Sequence, residues 1–461
     1  MQTGNGTPQI NIQTPTSAGV SINQYQQFDV NNKGAILNNS RGHTQTQLGG
    51  WIQGNPWLAG GQARIIVNQV NSANPSLLNG YIEVGGRRAE VVIANPAGIQ
   101  VNGAGFINAS RATLTTGMPQ YQAGALTGFA VQQGSIGITG QGLDASQTDY
   151  TQLLSQAVKI DAPIWGKDVR ILVGQNNVSA DGTVYAVNNI SGSQSSTNNP
   201  STATISSTPL YAIDTGALGG MYAGKITLIS TAQQAGIRNQ GQLFASAGNV
   251  AIDAKGQLSN SGTIAATNAQ DANNLAEHKV NIRSQTVENS GTIASQQSTQ
   301  LQTQSIQNSG TLLSSGELSI RNSGSLKNEA SGTIEAARLA IHTDTLNNQG
   351  KLAQTSLQKL YIAAQGKMDN RGRIGLPDTI PASSNGSNSN TGNHTPNTSS
   401  NSSPTAPTTA AGAGSAAVST VTSTAAPTFA DGLIQTSNTL TNSGSIIANG
   451  QTTVVAQARV K

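Results

Sequence analysis

The chain has 461 residues, of which 36% are hydrophobic, 3% aromatic and 10% charged, against roughly 45–50% apolar and about 25% charged residues in ordinary globular domains. This is not the composition of a compact enzyme, nor of the usual disordered chain, because uncharged Asn, Gln, Ser, Thr and Gly fill the space that charge would occupy. With 24 cations against 20 anions and no cysteine, the chain offers no basic patch for nucleic acid, no thiol chemistry and no zinc–thiolate site.

No apolar run approaches the ~18 residues of a membrane span, so the chain is not expected to span a membrane. Met1-Gln2-Thr3-Gly4 lacks the basic and then apolar start of a signal peptide; if the protein is exported, its leader has been removed. The segments QINIQT and GVSINQYQQFDV alternate apolar and polar residues, which reads as strands covering the open end of a solenoid, where an unpaired edge would otherwise recruit other chains. Short β runs follow at 65–70, 89–93 and 169–173. Arg87-Arg88, after Gly85-Gly86, reads as the start of a hairpin's second strand.

Two Asn-Pro pairs sit beside these apolar runs, in Asn55-Pro56-Trp57-Leu58 and Asn95-Pro96-Ala97-Gly98-Ile99. Pro presets φ for the second position of a turn, and the Asn side chain can bond back to nearby backbone N–H groups. The residues alone leave two readings open: structural corners that end a strand, or a surface that a partner reads.

An enzyme on a repetitive β scaffold would need carboxylates gathered on one face, as an acid/base pair or calcium ligands. The close pairs Asp144/Asp149 and Asp161/Asp168 read instead as turn and cap residues. His43, His278, His342 and His394 lack metal-ligand spacing and read as solvated. Gly103/Gly105 and Gly140/Gly142 open no helix that could hold a phosphate. Trp51, Trp57 and Trp165 could stack on sugars, but packing in a thin core is the commoner use. No cofactor and no metal are expected.

From Asn239 a phrase recurs, Asn-x-Gly-x-(Leu or Ile), with Asn260/Gly262, Asn289/Gly291, Asn308/Gly310, Asn348/Gly350 and Asn370/Gly372, and with Gly332 lacking the Asn; successive Gly positions from 241 to 372 differ by 21, 29, 19, 22, 18 and 22. Each unit carries a period-2 apolar pair such as Val280/Ile282 or Leu318/Ile320, then one apolar residue two before the next Asn, such as Leu258, Val287 or Ile306. Period 2 means strand, and this layout predicts three short strands per turn. One coil cannot fold alone, because five or six buried aliphatic side chains contribute about 1.5–3 kcal/mol each while ordering each of about twenty residues costs about 1–2 kcal/mol. Stacking closes the gap. The Gly is expected to supply a corner with φ > 0 and the Asn a stacked amide ladder. A leucine-rich or hexapeptide solenoid would need other periods, and amyloid-like disorder is the remaining alternative.

The expected fold is therefore all-β: a right-handed parallel β-helix of triangular three-strand coils with an N-terminal cap and extra-helical hairpins. The expected domains are 1–235, a repeat shaft over 236–375, a disordered Ser/Thr/Asn/Pro/Ala-rich insertion over 376–431 and a resumed repeat over 432–461. A shorter surface excursion is expected from Ser191.

The stretches LGGWIQGNPWLAGGQARIIVNQV, EVVIANPAGIQVNGAGFINASRATLTTG, VKIDAPIWGKDVRILVG and YAIDTGALGGMYAGKITL resemble the secretion domain of two-partner-secretion exoproteins, the family of filamentous haemagglutinins and contact-dependent growth-inhibition proteins. The resemblance covers roughly residues 5–245. The family motifs, usually NPNL and NPNGI, are matched at Asn55, Pro56 and Leu58 and at Asn95, Pro96, Gly98 and Ile99; Trp57 and Ala97 replace the third-position Asn, so no role for that amide carries over. Many relatives place a cysteine pair after the second motif, where this chain has VNGAGFIN.

The resemblance implies delivery to the periplasm by the Sec route, engagement of the unfolded chain by the periplasmic domains of a cognate outer-membrane β-barrel transporter, and threading outward. It implies a secreted, extracellular or surface-attached monomer without enzymatic activity. Such a monomer would present adhesive or growth-inhibiting parts, with the target-cell receptor engaged by regions beyond this stretch. The alternative on the same shaft is a polysaccharide-binding or polysaccharide-cleaving surface protein.

Overall fold

The computed structural model describes residues 1–180, 182–186, 211–232, 235–267, 278–356, 358–376, 432–447 and 452–456. The insertion expected over 376–431 lies, but for Leu376, outside the described residues, as do the excursion from Ser191 and His394. Among the described residues every regular element but one 3-10 turn is a strand.

Glycine-rich corners and period-2 apolar pairs wind the chain into stacked three-sided coils. Two faces merge into a 26-stranded sheet, and the third is a separate 13-stranded sheet. The merger arises where strands such as Thr311–Asn322 and Thr333–Thr343 run through the shallow corner. Thr311–Asn322, for example, pairs in parallel register with both Thr292–Ser295 and Ser298–Thr303 of the preceding coil. All pairing within these two sheets is parallel, as in a β-helix. In the third face Ile99, Ile136, Val158, Ile213, Ile237 and Leu258 stack in one row, each 0–2% exposed. Equivalent inner rows of Ile, Leu and Val on the other faces join it in one continuous core. Like pairs with like, so each coil buries its neighbour's apolar row.

The N-terminal strands do not lie across the open end. Gln9–Asn11 pairs in parallel with Ala35–Asn39, Val20–Tyr25 pairs with Ile65–Val70, and Val30 bridges Leu78, so residues 9–30 are themselves the first coil. Their alternation is that of every other coil, which is why the sequence does not separate a cap from a first coil. The free edge at the start of Gln9–Asn11 is met by the doubled-back start of the chain, where Gln9 N–H donates to Met1 O at 2.9 Å and Thr3 N–H to Thr7 O at 3.0 Å. Tyr25 packs edge-on to the buried Phe28, ring centroids 5.0 Å apart.

The hairpin expected at Arg87-Arg88 is also absent. Tyr81–Gly86 pairs with Ala35–Asn39, whereas Ala89–Ala94 pairs with Ile65–Val70 on the next face. Gly86, at φ +87°, turns a solenoid corner. A short Gly-containing link serves either geometry, and the parallel stacking on both sides selects the corner.

Two antiparallel ribbons lie outside the coil. Thr44–Thr46 pairs with Gly50–Ile52 over the first face, held by the buried Glu83, whose carboxylate oxygens accept from Gln47 N–H and Leu48 N–H, each at 2.7 Å. A four-stranded sheet of Met118–Gln122, Ala125–Val131, Asn176–Ser179 and Val184–Ala186 covers the second face. Leu126, Phe129, Val131 and Val178 of that sheet close over Val20, Val67, Val92, Leu154 and Leu172 to make a second apolar core.

Candidate functional site: the Asn-Pro turns and the asparagine ladder

Both Asn-Pro motifs fold the same way. Asn55 caps the 3-10 turn Pro56–Leu58, with Leu58 N–H donating back to Asn55 O at 3.2 Å. Its Oδ1 accepts from Trp57 N–H at 3.0 Å, while its Nδ2 donates to Ile12 O at 2.8 Å and Asn38 O at 3.0 Å. The amide thereby ties the first coil to the second. At the second motif Gly98 N–H donates to Asn95 O at 3.0 Å, Asn95 Oδ1 accepts from Ala97 N–H at 2.9 Å, and Nδ2 donates to Asn74 O at 2.9 Å and Ser76 Oγ at 3.0 Å. Gly98, at φ +120°, adopts a backbone that side chains disfavour. Ile99 then enters the third face fully buried.

Asn55 is 2% exposed and Asn95 0%, so neither amide reaches a surface. Only the backbone N–H of the third residue enters the circuit, which accounts for Trp57 and Ala97 at that position without loss of a bond. The Trp57 ring is 56% exposed, Trp51 72% and Trp165 39%, so the expectation that the tryptophans pack in the core is overturned. The inner rows are chiefly Ile, Leu, Val and Ala with Phe28 and Phe106 among them, and an indole N–H buried there would find no acceptor.

Along the repeats the Asn side chains form a ladder. Nδ2 of Asn239 donates to Oδ1 of Asn260, and the same bond continues through Asn289, Asn308, Asn328, Asn348 and Asn370 to Asn442, at 2.7–2.9 Å throughout. The donors from Asn239 to Asn328 also reach the carbonyl of their own corner glycine, such as Gly262 or Gly291. From Asn239 to Asn370 the amides are 0–2% exposed, where an unmade bond would be costly. Before the ladder the same register position holds Val101, Ile138, Ile160 and then Thr215. Asn239 Oδ1, facing back toward that apolar run, has no partner among the described residues. Asn328 escaped the sequence pattern because two extra residues separate it from Gly332; its signal was Leu326, two residues before, at the spacing of Leu258 and Ile306.

The repeat glycines have a different reason from the one expected. Gly262, Gly291, Gly310 and Gly350 are not in the left-handed region. Instead a Cβ at Gly262 would sit inside the van der Waals radius of Gly241 O, and likewise Gly291 against Gly262 O, Gly310 against Gly291 O and Gly350 against Gly332 O. The ladder draws neighbouring backbones together at this corner, and only a hydrogen fits between them.

The carboxylates do not converge. Asp149 binds Arg88 at 2.9 Å and Lys167 at 3.3 Å, Asp161 binds Lys159 at 2.8 Å, and Asp168 faces Lys225 at 3.8 Å. Asp144 and Asp168 lie within strands rather than turns. Burial pushes the carboxyls of Glu90 and Asp168 up, opposed by Arg111 and Lys225 respectively, but neither has a second acid positioned beside it. His278 is 2% exposed, not solvated, and His342 contacts Gln365 at 3.2 Å. No group of His, Cys, Asp and Glu able to hold a metal occurs among the described residues.

Asp144 instead accepts from Tyr81 Oη at 2.7 Å and from Ser146 N–H at 3.0 Å and Ser146 Oγ at 2.6 Å. Partial burial works to raise its carboxyl, but the Ser146 and Tyr81 bonds outweigh it and hold the group below the ordinary range. The Tyr81 phenol is pushed up, first by that bond and then by burial. The lowered acid contributes stability above the unfolded carboxyl value that is lost as pH falls through the folded one. The raised phenol contributes stability below the unfolded phenol value that is lost as pH rises through the folded one. Tyr81→Phe is expected to flatten the acid limb of this dependence, read as melting temperatures from about pH 2 to about pH 7.

A parallel β-helix with Asn-Pro turns bonded into its first coils and an amide-laddered shaft behind them defines a stacked β-solenoid. The family model for the TPS secretion domain matches residues 1–260. Among curated relatives, Toxin CdiA of Yersinia pestis is 50% identical over 299 residues, 65% of this chain and 8% of the relative. A tRNA nuclease CdiA of Yersinia mollaretii is 39% identical over 367 residues, 78% of this chain and 11% of the relative. Among solved structures, the filamentous hemagglutinin secretion domain aligns with TM-score 0.51 at 30% identity, covering 70% of this chain and 96% of that one. The chain belongs to the TPS secretion domain family, and is thus a secretion region of a two-partner-secreted exoprotein, a class exported through the outer membrane. It spans about a tenth of the length of the curated relatives it matches.

Proposed function

We propose that this chain is the secretion-and-scaffold part of a contact-dependent growth-inhibition exoprotein, itself without enzymatic activity and monomeric. Residues 1–235 engage the periplasmic domains of the transporter, and 236–375 with 432–461 form the shaft that carries adhesive or toxic parts encoded further along, which reach the target-cell receptor. The observation that carries this reading is the 50% identity to a CdiA toxin over 299 residues, together with the secretion-domain match over residues 1–260. Asn55, Pro56, Leu58, Asn95, Pro96, Gly98 and Ile99 act through the fold: they lock the first coils, and the locked coils present the surface that the transporter engages.

The test is co-expression of the chain, preceded by a Sec signal, with and without the cognate barrel. The chain is expected in the medium only when the barrel is present, and the purified chain is expected to cleave neither tRNA nor polysaccharide. Release without the barrel would refute the secretion reading. Cleavage by the purified chain would refute the non-enzymatic one.

A further inference from the structure

The chain carries only 3 Trp, 8 Tyr and 5 Phe, yet four of these share one outer row of the first face. In-register pairing places Tyr81, Gly105, Asp144, Trp165, Tyr222 and Phe244 side by side on successive coils. Further along, the row continues as Ala265 and Ala294, so the aromatic character is confined to the secretion domain. Trp165 is 39% exposed and Tyr222 36%. Gly105 leaves room for Tyr81 to lie flat over it, since a Cβ there would enter the Tyr81 ring, and this lets the phenol reach Asp144 on the far side of that coil at 2.7 Å. Between these groups lies an open depression of about 430 Å³, walled by Trp165 and Tyr81 and floored by Gly103 and Ala104, with Gln141, Asp144 and Ser146 at its rim.

The chemistry of the lining selects a ligand class. No Lys or Arg borders the depression, which disfavours phosphates and acidic ligands. Its openness and polar rim disfavour an apolar peptide side chain, which would want an enclosed apolar pocket. A flat, half-exposed indole beside a carboxylate and an amide suits a neutral polyhydroxylated ring, whose C–H face lies on the aromatic surface while its hydroxyls donate to Asp144 and exchange bonds with Gln141. The Tyr81 and Ser146 bonds hold Asp144 in one rotamer, so the acceptor is preorganised. Tyr222, fixed by its hydroxyl to Gln242 at 3.2 Å, and Phe244 extend the platform by further coils, as an oligosaccharide rather than a monosaccharide would require.

We propose that this row, centred on Trp165 and Asp144, is a binding site for neutral oligosaccharides, which lets the secretion domain attach to a glycan-coated surface after export. The inference is independent of transporter engagement. The test uses the full chain on an array of immobilised neutral and N-acetylated oligosaccharides, followed by tryptophan-fluorescence titration with maltotetraose and with tetra-N-acetylchitotetraose.

Saturable binding to at least one is expected, weakened at least about tenfold by Trp165→Ala and by Asp144→Asn, with partial recovery in Trp165→Phe. Melting curves of the variants separate loss of the site from loss of the fold, and Trp57→Ala, on an exposed ring outside the row, is expected to bind as the parent does. No retained glycan, or binding indifferent to both Trp165→Ala and Asp144→Asn, would overturn the proposal. So would capture of the transporter's isolated periplasmic domains by this row in place of glycan.

Discussion

Replacing Gly310 by alanine is expected to destabilise the shaft by about 3 kcal/mol, the upper end of overpacking costs, because the new Cβ is driven into the carbonyl of Gly291 and the backbone of Ser290. Nothing at this corner can yield cheaply: the obstacle is main chain, and the Asn289–Asn308–Asn328 bonds, at 2.8 and 2.9 Å, hold the coils at their spacing. The neighbouring coils must part, and the amide of Asn308 is then left without one of its partners at 0% exposure, a further cost of about 1–3 kcal/mol. Because a solenoid's stability is close to a sum of nearest-neighbour terms, the damage should stay local. Hydrogen exchange is expected to accelerate in the coils either side of residue 310 while the first coils stay protected. Gly60→Ala, where a Cβ meets nothing within 4 Å, is the matched control and should melt as the parent does. Equal melting temperatures for the Gly310→Ala variant and this control would refute the close-approach account.

Asn95→Ala should be nearly as damaging, at about 2–5 kcal/mol, since it leaves the half-buried Ala97 N–H and the buried Ser76 Oγ without their partner, at about 1–3 kcal/mol for each, while the carbonyl of the exposed Asn74 can turn to water. Water entering the corner would bring the loss toward the lower figure. Asn95→Asp keeps the acceptor for Ala97 N–H but sets a carboxylate oxygen against the Asn74 carbonyl, and is not expected to rescue. Stability and barrel-dependent export should fall together in both variants. Trp57→Ala, which removes an exposed ring and leaves the turn's bonds untouched, is expected to change stability by less than about 0.5 kcal/mol and to leave export intact. A Trp57→Ala chain that melts normally but is not exported would reverse the assignment and make the motif a surface read directly by the transporter.

Much of this architecture is legible in the order of residues alone, because a coil of about twenty residues repeats its chemistry in every turn. The period-2 pairs named the inner rows, the recurrent Asn named the ladder, and Asn-Pro named the turns. These are local signals: an apolar alternation or an Asx turn is decided within a handful of residues. What lay beyond reach involves residues one or more coils apart in the chain.

The glycines of the repeat look like left-handed corners until the previous coil's carbonyl is seen beneath them. Asn328 joins the ladder through Asn308 and Asn348, each 20 residues away, and Asn370 finds Asn442 across 72. The N-terminal strands could have been a lid, and Arg87-Arg88 a hairpin, until parallel pairing with Ala35–Asn39 and Ile65–Val70 placed them in coils. The tryptophans, apolar by type, stand outside because the inner rows of Ile, Leu, Val and Phe offer an indole N–H no acceptor, and the depression beside Trp165 is shaped by Gly105, two coils earlier, where a Cβ would meet the Tyr81 ring. The sequence by itself determined the kind of coil and which residues line it; the stacking of coils, which sets the distance between backbones that the chain order keeps apart, decided which glycines are indispensable and which aromatics face the solvent.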